Sequence, residues 1–135
     1  MKRGILVVDD DDDNRELLVE LLEAAGYWAL GVPNGAAALA SLEAGSAPDL
    51  VLTDMVMPVM NGWELCAALK NSPVWRSIPI IVLCGLRPRE RGELQVADAF
   101  TKPTDITALL RRIAELCGTP SAFARPRADA LFEEA

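Results

Sequence analysis

The segment ILVVDD, residues 5–10, is a run of four aliphatic residues that ends on two aspartates. The run DLVLT, residues 49–53, leads in the same way into Asp54. A third and shorter run, AFT at residues 99–101, leads into Lys102. Short aliphatic and β-branched runs are typical of strands that are buried in a parallel sheet. Because ligands bind outside the carboxyl ends of such strands, the pattern predicts that these charges converge on one crevice.

Patterns typical of amphipathic helices separate these runs, so the chain alternates between strand and helix. The predicted strands lie at residues 5–8, 28–32, 49–53, 78–83 and 97–101. The predicted helices lie at residues 14–25, 36–44 and 63–71 and from residue 104 or 105 to 117, with Thr104 as N-cap. Only one or two helical turns are expected within residues 86–95. The alternation predicts an α/β fold, a doubly wound five-stranded parallel sheet with helices on both faces. The natural candidate is the flavodoxin-like strand order 2-1-3-4-5.

Length and composition are those of one soluble domain, with 135 residues of which 51% are hydrophobic and 24% are charged. We predict a domain over residues 1–118 and a C-terminal tail over residues 119–135. The net charge of −7 argues against direct binding of nucleic acid. The first aliphatic run is too short for a secretory signal or a membrane span, so no membrane contact is expected. Three widely spaced cysteines favour reduced thiols and a cytoplasmic location.

Carboxylates are the main candidates for chemistry, because the chain contains no histidine. Asp9 and Asp10 leave the first strand directly, and together with Asp54 they can hold Mg²⁺, which prefers oxygen ligands. The alternative is that they are ordinary solvated loop acids. The aspartates at residues 11–13 are expected to begin the first helix, where negative charge interacts favourably with the helix dipole. Lys102 is expected to neutralise phosphate oxygens while Asp54 attacks phosphorus.

These motifs together resemble those of the receiver domain of two-component response regulators. ILVVDD is similar to the acidic pair of that family, DLVLTDMVMPVMNG to its phosphoacceptor strand and loop, and FTKP to its lysine and proline. The resemblance implies that Asp54 is phosphorylated and that Lys102 contacts the phosphoryl group. It also implies that Asp10, Asp54 and the carbonyl of Val56 bind Mg²⁺, and that Asp9 acts through a water molecule on the metal.

The resemblance covers residues 1 to about 117 and implies a partner that donates the phosphoryl group from a phosphohistidine. That partner is expected to be a sensor histidine kinase or a phosphotransfer protein, and the output is expected to be contact with an unknown downstream protein. A stand-alone signalling module in a phosphorelay, rather than an enzyme, is therefore expected. The enzyme alternative is a haloacid-dehalogenase-type phosphohydrolase. Its Asp-x-Asp-Gly-Thr turn is missing from the run of aspartates, and the chain leaves no room for a cap domain.

Two positions depart from the family pattern where phosphorylation is normally transmitted. Cys84 stands at the end of the fourth strand, where the family has Ser or Thr, and a thiol is a weaker hydrogen-bond donor than a hydroxyl. Ala99 stands three residues before Lys102, where the family tends to have an aromatic residue, and Phe100 follows one place later. These departures favour a second interpretation, a receiver-like scaffold in which the phosphorylation switch is weakened or lost.

Two further positions beside the predicted site are apolar. Val56 lies two residues after Asp54, and Leu86 lies two residues after Cys84. Neither side chain can orient a hydrolytic water molecule by hydrogen bonding. The sequence therefore predicts that the phosphorylated protein hydrolyses itself slowly.

Overall fold

Five strands alternate with four helices in the computed structural model, which describes residues 3–55, 59–84, 96–101 and 105–118. The strands are β1 Gly4–Val8, β2 Trp28–Val32, β3 Leu50–Asp54, β4 Ile80–Cys84 and β5 Asp98–Thr101. The helices are α1 Asp12–Ala24, α2 Gly35–Glu43, α3 Gly62–Lys70 and α4 Ile106–Cys117. All neighbouring strands are parallel and their order is β2-β1-β3-β4-β5, which confirms the predicted doubly wound sheet. Within the described ranges, no helix is both long and apolar enough to span a membrane.

The two faces of the sheet carry separate layers of helices, because side chains alternate along each strand. Leu6 and Val8 of β1 belong to a cluster that includes side chains of α2 and α3. Ile5 and Val7 belong to the cluster on the other face, which includes side chains of α1 and α4. All five residues of β1 are buried, as a central strand covered on both faces requires.

Each of the four described helices begins after an Asp or Asn whose side chain accepts a backbone hydrogen bond from the first turn. The bonds run from Asn14 N to Asp11, from Ala37 N to Asn34, from Glu64 N to Asn61 and from Ala108 N to Asp105. The cap at Asp11 explains why α1 begins two residues before the predicted start. The cap of α4 is Asp105, which corrects the prediction of Thr104.

Strand β4 begins at Ile80 and not at the predicted residue 78. The N–H of Ile78 donates to the carbonyl of Trp75 at 3.0 Å, so Ile78 belongs to the preceding turn. Pro79 has no N–H to donate, although its carbonyl accepts from Val51 N at 3.0 Å. The helical turns predicted within residues 86–95 and the tail at residues 119–135 lie outside the described residues.

The end of α4 is fixed at the amino-terminal edge of the sheet. The hydroxyl of Tyr27 donates to the carbonyl of Gly118 at 3.2 Å. A Cβ at Gly118 would lie 3.0 Å from Nε of Arg3, the residue that precedes β1. Burial, together with the nearby Cys117 thiol, raises the pKa of Tyr27 to about 12, while Arg3 acts in the opposite direction. The hydroxyl therefore remains protonated and able to donate at neutral pH.

Candidate functional site

Three carboxylates lie together at the carboxyl ends of two neighbouring strands. Asp9 follows β1 and Asp54 ends β3, and the pairing of Val8 with Thr53 places these strands side by side. Carboxylate oxygens of Asp9, Asp10 and Asp54 lie within 4.8 Å of one another. Asp9 is buried, Asp54 is half-buried and Asp10 is exposed, so the cluster opens to solvent on one side. The predicted convergence of these three carboxylates is thus observed.

The donor set of this cluster fits a divalent cation such as Mg²⁺. Three negative charges this close repel one another, and a cation relieves the repulsion. Mg²⁺ takes oxygen ligands, keeps several water molecules and favours phosphate as a further ligand, so it needs both carboxylates and an open side. The exposed side at Asp10 leaves space for such additional ligands. The arrangement can therefore bring a cation and a phosphoryl group next to a carboxylate nucleophile.

Asp54 is held in place by its two neighbours along the chain and by the first residue of α3. Its carboxylate Oδ1 accepts from Met55 N at 2.7 Å, and its carbonyl accepts from the Thr53 hydroxyl at 2.8 Å. Gly62, the first residue of α3, packs directly against the same carbonyl, because a Cβ at that position would lie 2.6 Å from it. The orientation of the Asp54 side chain is thus fixed by the strand and by the start of α3.

Asp9 is held in a similar way, by hydrogen bonds with β2, with Asp11 and with Arg15. Its N–H donates to the carbonyl of Val32 in β2 at 3.1 Å. Its carboxylate Oδ1 accepts from Asp11 N at 2.9 Å, and its carbonyl accepts from Nη1 of Arg15 at 2.8 Å. Sequence reasoning missed Arg15, because the residue type gives no sign that it reaches back to a backbone carbonyl.

Of the remaining predicted site residues, Lys102 and Val56 lie outside the described residues. The backbone of Cys84 ends β4 opposite Thr101 of β5, and its side chain lies outside the described part of the chain. Ala99 lies in β5 opposite Val82. The strand ends of β4 and β5 thus lie at the same edge of the sheet as the three carboxylates.

Ala99 and Phe100 pack on opposite faces of the sheet. Ala99 packs against the cluster beneath α2 and α3, and its N–H donates to the Asp98 carboxylate at 2.8 Å. Phe100 packs against the cluster beneath α1 and α4. Because neighbouring residues of a strand point to opposite faces, Phe100 cannot supply an aromatic side chain on the face that Ala99 occupies.

The two cysteines whose side chains are described are unsuited to nucleophilic chemistry. Cys66 is buried in the core and Cys117, the last residue of α4, is half-buried, and both are free thiols. Burial raises the pKa of the Cys66 thiol to about 11, with Lys70 acting in the opposite direction. Burial, reinforced by Asp49, likewise raises the pKa of Cys117 to about 11 against the effect of Arg3. Both thiols remain protonated at neutral pH.

Comparison with known protein families gives a match over most of the chain. The model of the response regulator receiver domain family matches residues 5–114. The polar-differentiation response regulator DivK of Brucella anthropi is 30% identical over 122 residues, which cover 87% of this chain and 98% of DivK. The response regulator PleD of Caulobacter vibrioides is 37% identical over 120 residues, which cover 86% of this chain but 26% of PleD.

Solved structures of receiver domains resemble the fold closely. The receiver domain of a signal transduction histidine kinase from Syntrophus aciditrophicus has a TM-score of 0.80 and 35% identity, over 93% of this chain and 96% of that one. The receiver domain of sensor histidine kinase PA1611 from Pseudomonas aeruginosa has a TM-score of 0.79 and 27% identity, over 88% of this chain and 100% of that one. In the latter structure a magnesium ion is coordinated in the active site cleft.

Proposed function

The chain belongs to the response regulator receiver domain family, and on that basis we propose that it accepts a phosphoryl group on Asp54 in a Mg²⁺-dependent reaction. The observation that carries the proposal is the cluster of Asp9, Asp10 and Asp54, whose carboxylate oxygens lie within 4.8 Å of one another at the strand ends. Asp54 ends a central strand and is half-buried, so it is held in place yet open to a donor.

The chemistry is the transfer of a phosphoryl group between a nitrogen and an oxygen. An oxygen of the Asp54 carboxylate attacks phosphorus, and a P–O bond forms as the P–N bond of a phosphohistidine breaks. The imidazole leaves with the bonding electron pair and takes up a proton. Asp9, Asp10 and the carbonyl of Val56 complete the set of oxygens with which Asp54 would hold Mg²⁺. That ion supplies positive charge against the phosphoryl oxygens, and Lys102 adds an ammonium.

The proposal is tested by incubating the protein with acetyl phosphate, which carries a transferable phosphoryl group and needs no partner protein. With Mg²⁺ present, we expect intact-protein mass spectrometry to detect the addition of one phosphoryl group. With EDTA in place of Mg²⁺, we expect the addition to fall to background, because the phosphoryl charge is then not offset at the carboxylate cluster. Equal phosphorylation in both solutions would contradict the proposed role of the metal.

We expect the phosphorylated form to lose its phosphoryl group slowly. Val56 and Leu86 are apolar, so neither can orient a water molecule for attack on phosphorus. The substitution Val56→Asn should accelerate loss of the phosphoryl group on the order of tenfold. This effect is smaller than that of a general base, because an asparagine amide orients a water molecule without taking its proton. The matched apolar variant Val56→Leu should decay as slowly as the unmodified protein. The measurement is the decay of the phosphorylated mass after the donor is removed, and equal decay of all three proteins would refute the explanation.

A second candidate function is a receiver-like scaffold that binds partners without a phosphorylation switch. The observation that favours it is the separation of Ala99 and Phe100 onto opposite faces of the sheet, which leaves an alanine on the face beneath α2 and α3. Hydrogen exchange of the phosphorylated and unphosphorylated protein separates the two candidates. A change confined to the residues next to Asp54 supports the scaffold, and a change that extends through β4 and β5 supports a working switch.

The expected partners follow from the proposed reaction. The donor is a phosphohistidine on a sensor histidine kinase or a phosphotransfer protein, as is consistent with two-component signalling by this family. The output is contact with a downstream protein whose identity is open, rather than catalysis by this chain. We also propose a cytoplasmic location, on the basis of the three widely spaced cysteines, and no binding to a membrane, on the basis of the short aliphatic runs. The net charge of −7 supports the absence of binding to nucleic acid.

A further inference from the structure

Arg15 of α1 contacts the turn that bears two of the three clustered carboxylates. Its Nη1 donates to the carbonyl of Asp9 at 2.8 Å, and its Nη2 forms an ion pair with the carboxylate of Asp12. The Arg15 side chain is only 18% exposed, whereas that of Asp12 is 78% exposed. The guanidinium is thus held between the end of β1 and the first turn of α1.

The path of the Arg15 side chain depends on Gly31 in the neighbouring strand β2. A Cβ at Gly31 would lie 2.9 Å from Cγ of Arg15 and 3.1 Å from its Cδ. Contacts at these distances force the neighbouring atoms to move. Because Gly31 has no side chain, the methylene groups of Arg15 can pack against β2 and its guanidinium can reach the carbonyl of Asp9.

The carbonyl that Arg15 binds belongs to the peptide that joins Asp9 to Asp10. The other side of Asp9 is fixed by its N–H, which donates to the carbonyl of Val32 at 3.1 Å. With both peptide groups of Asp9 bonded, the direction in which the chain enters Asp10 is determined. Asp10 is exposed and therefore has little packing of its own to orient its carboxylate.

We propose that Arg15, admitted by Gly31, is a positioning residue that holds the peptide between Asp9 and Asp10 so that their carboxylates face Asp54 in the geometry needed by Mg²⁺. The inference rests on the proposed function of the cluster. Replacing a residue that orients a metal ligand without itself binding the metal commonly changes metal affinity by 10- to 100-fold. Mg²⁺ is demanding in this respect because it requires near-octahedral geometry.

Whether replacing Arg15 weakens or strengthens Mg²⁺ binding shows whether the residue acts by positioning or only through its charge. A positive charge near a cation site weakens binding of the cation, so removing the charge of Arg15 should strengthen Mg²⁺ binding if charge were its only contribution. Loss of the positioning role should instead weaken Mg²⁺ binding. The ion pair with Asp12 already offsets much of the charge of Arg15, so we expect the positioning effect to dominate.

The test is calorimetric titration of the whole protein with Mg²⁺. We expect Arg15→Met to raise the Kd by about tenfold and Arg15→Lys to raise it by less, because lysine keeps a donor but not the planar fork. Gly31→Ala leaves every charge in place and should also raise the Kd, by about threefold, because it displaces the side chain of Arg15. The matched control is Arg111→Met, since Arg111 is exposed on α4, and its Kd should be unchanged.

A second measurement shows whether Arg15 acts through the metal site alone. The rate of phosphorylation by acetyl phosphate should fall in Arg15→Met at low Mg²⁺ and return to the wild-type rate when Mg²⁺ is saturating. A general loss of structure would not be restored in this way. If Arg15→Met does not fold, as judged by thermal unfolding, Arg15→Lys and Gly31→Ala decide the question, and an unchanged Kd in both would overturn the inference.

The same measurements distinguish failure of the positioning role from failure of the proposed function. If the wild-type protein binds Mg²⁺ and Arg15→Met binds it equally or more tightly, the positioning role is overturned and the proposed function stands. A rate that remains low in Arg15→Met at saturating Mg²⁺ would also overturn the positioning role. If the wild-type protein does not bind Mg²⁺ at all, the positioning role and the metal dependence of the proposed function are both overturned.

Discussion

We expect Asp54→Asn to lower phosphorylation by acetyl phosphate to the detection limit of mass spectrometry, if Asp54 is the acceptor as proposed. The amide of asparagine has nearly the same shape as the carboxylate, but it is a very weak nucleophile and cannot form the acyl phosphate. Its Oδ1 can still accept the 2.7 Å hydrogen bond from Met55 N, so the loop after β3 should keep its structure. The variant also removes one of three mutually repelling charges, so we expect its melting temperature to be equal to or above that of the wild type.

The matched control for this variant is Asp13→Asn, the same chemical change in the first turn of α1. Asp13 is exposed and lies outside the cluster of Asp9, Asp10 and Asp54. We expect it to be phosphorylated at the wild-type rate, with a small loss of stability, about 0.5 kcal/mol, from the weaker interaction with the helix dipole. Phosphorylation of Asp54→Asn to the same extent as Asp13→Asn would show that another residue is the acceptor.

We expect Gly62→Ala to destabilise the fold strongly, although the substitution adds only one methyl group. The added Cβ would lie 2.6 Å from the carbonyl oxygen of Asp54 and 2.8 Å from Cα of Met55. Both of these atoms are backbone, so the clash cannot be relieved by turning a side chain. Overpacking of this kind costs about 2 to 3 kcal/mol. For a domain of this size that corresponds to a fall in melting temperature of about 10 °C, which differential scanning calorimetry measures directly.

The control for this second variant is Ala67→Gly, which removes a Cβ from the exposed face of the same helix. It should cost about 1 kcal/mol through helix propensity alone. The order of stabilities is therefore expected to be wild type, then Ala67→Gly, then Gly62→Ala. A Gly62→Ala protein as stable as the wild type would mean that β3 and α3 do not approach each other as closely as the structure has them.

Much of the fold was predictable because its signals are local. The aliphatic run at residues 5–8 predicts a buried strand, and all five residues of β1 are indeed buried. The acids at the ends of the first and third strands predict one crevice because parallel strands end at the same edge of the sheet. The start of α3 could have been placed at Gly62, since Asn61 and Glu64 have the spacing of a capping box, which the structure contains.

What the sequence could not supply were contacts between backbone groups and distant side chains. The bond from Arg15 to the Asp9 carbonyl leaves no mark in the residue type, because every residue has a carbonyl. Gly31 gave a weak signal, since a glycine within a strand often marks the close approach of another group. Val59 adopts a φ of 69°, a conformation that its β-branched side chain disfavours, so nothing at that position predicted it.

The contact between Tyr27 and Gly118 also determines how this domain can be joined to other proteins. It holds the end of α4 at the amino-terminal edge of the sheet, beside Arg3, whereas Asp9 and Asp54 lie at the carboxyl edge. A five-residue strand separates these two edges by about 17 Å. A fluorescent protein or affinity tag fused after Gly118 therefore begins on the side away from Asp9 and Asp54, where it leaves the approach of the proposed phosphodonor to Asp54 unobstructed.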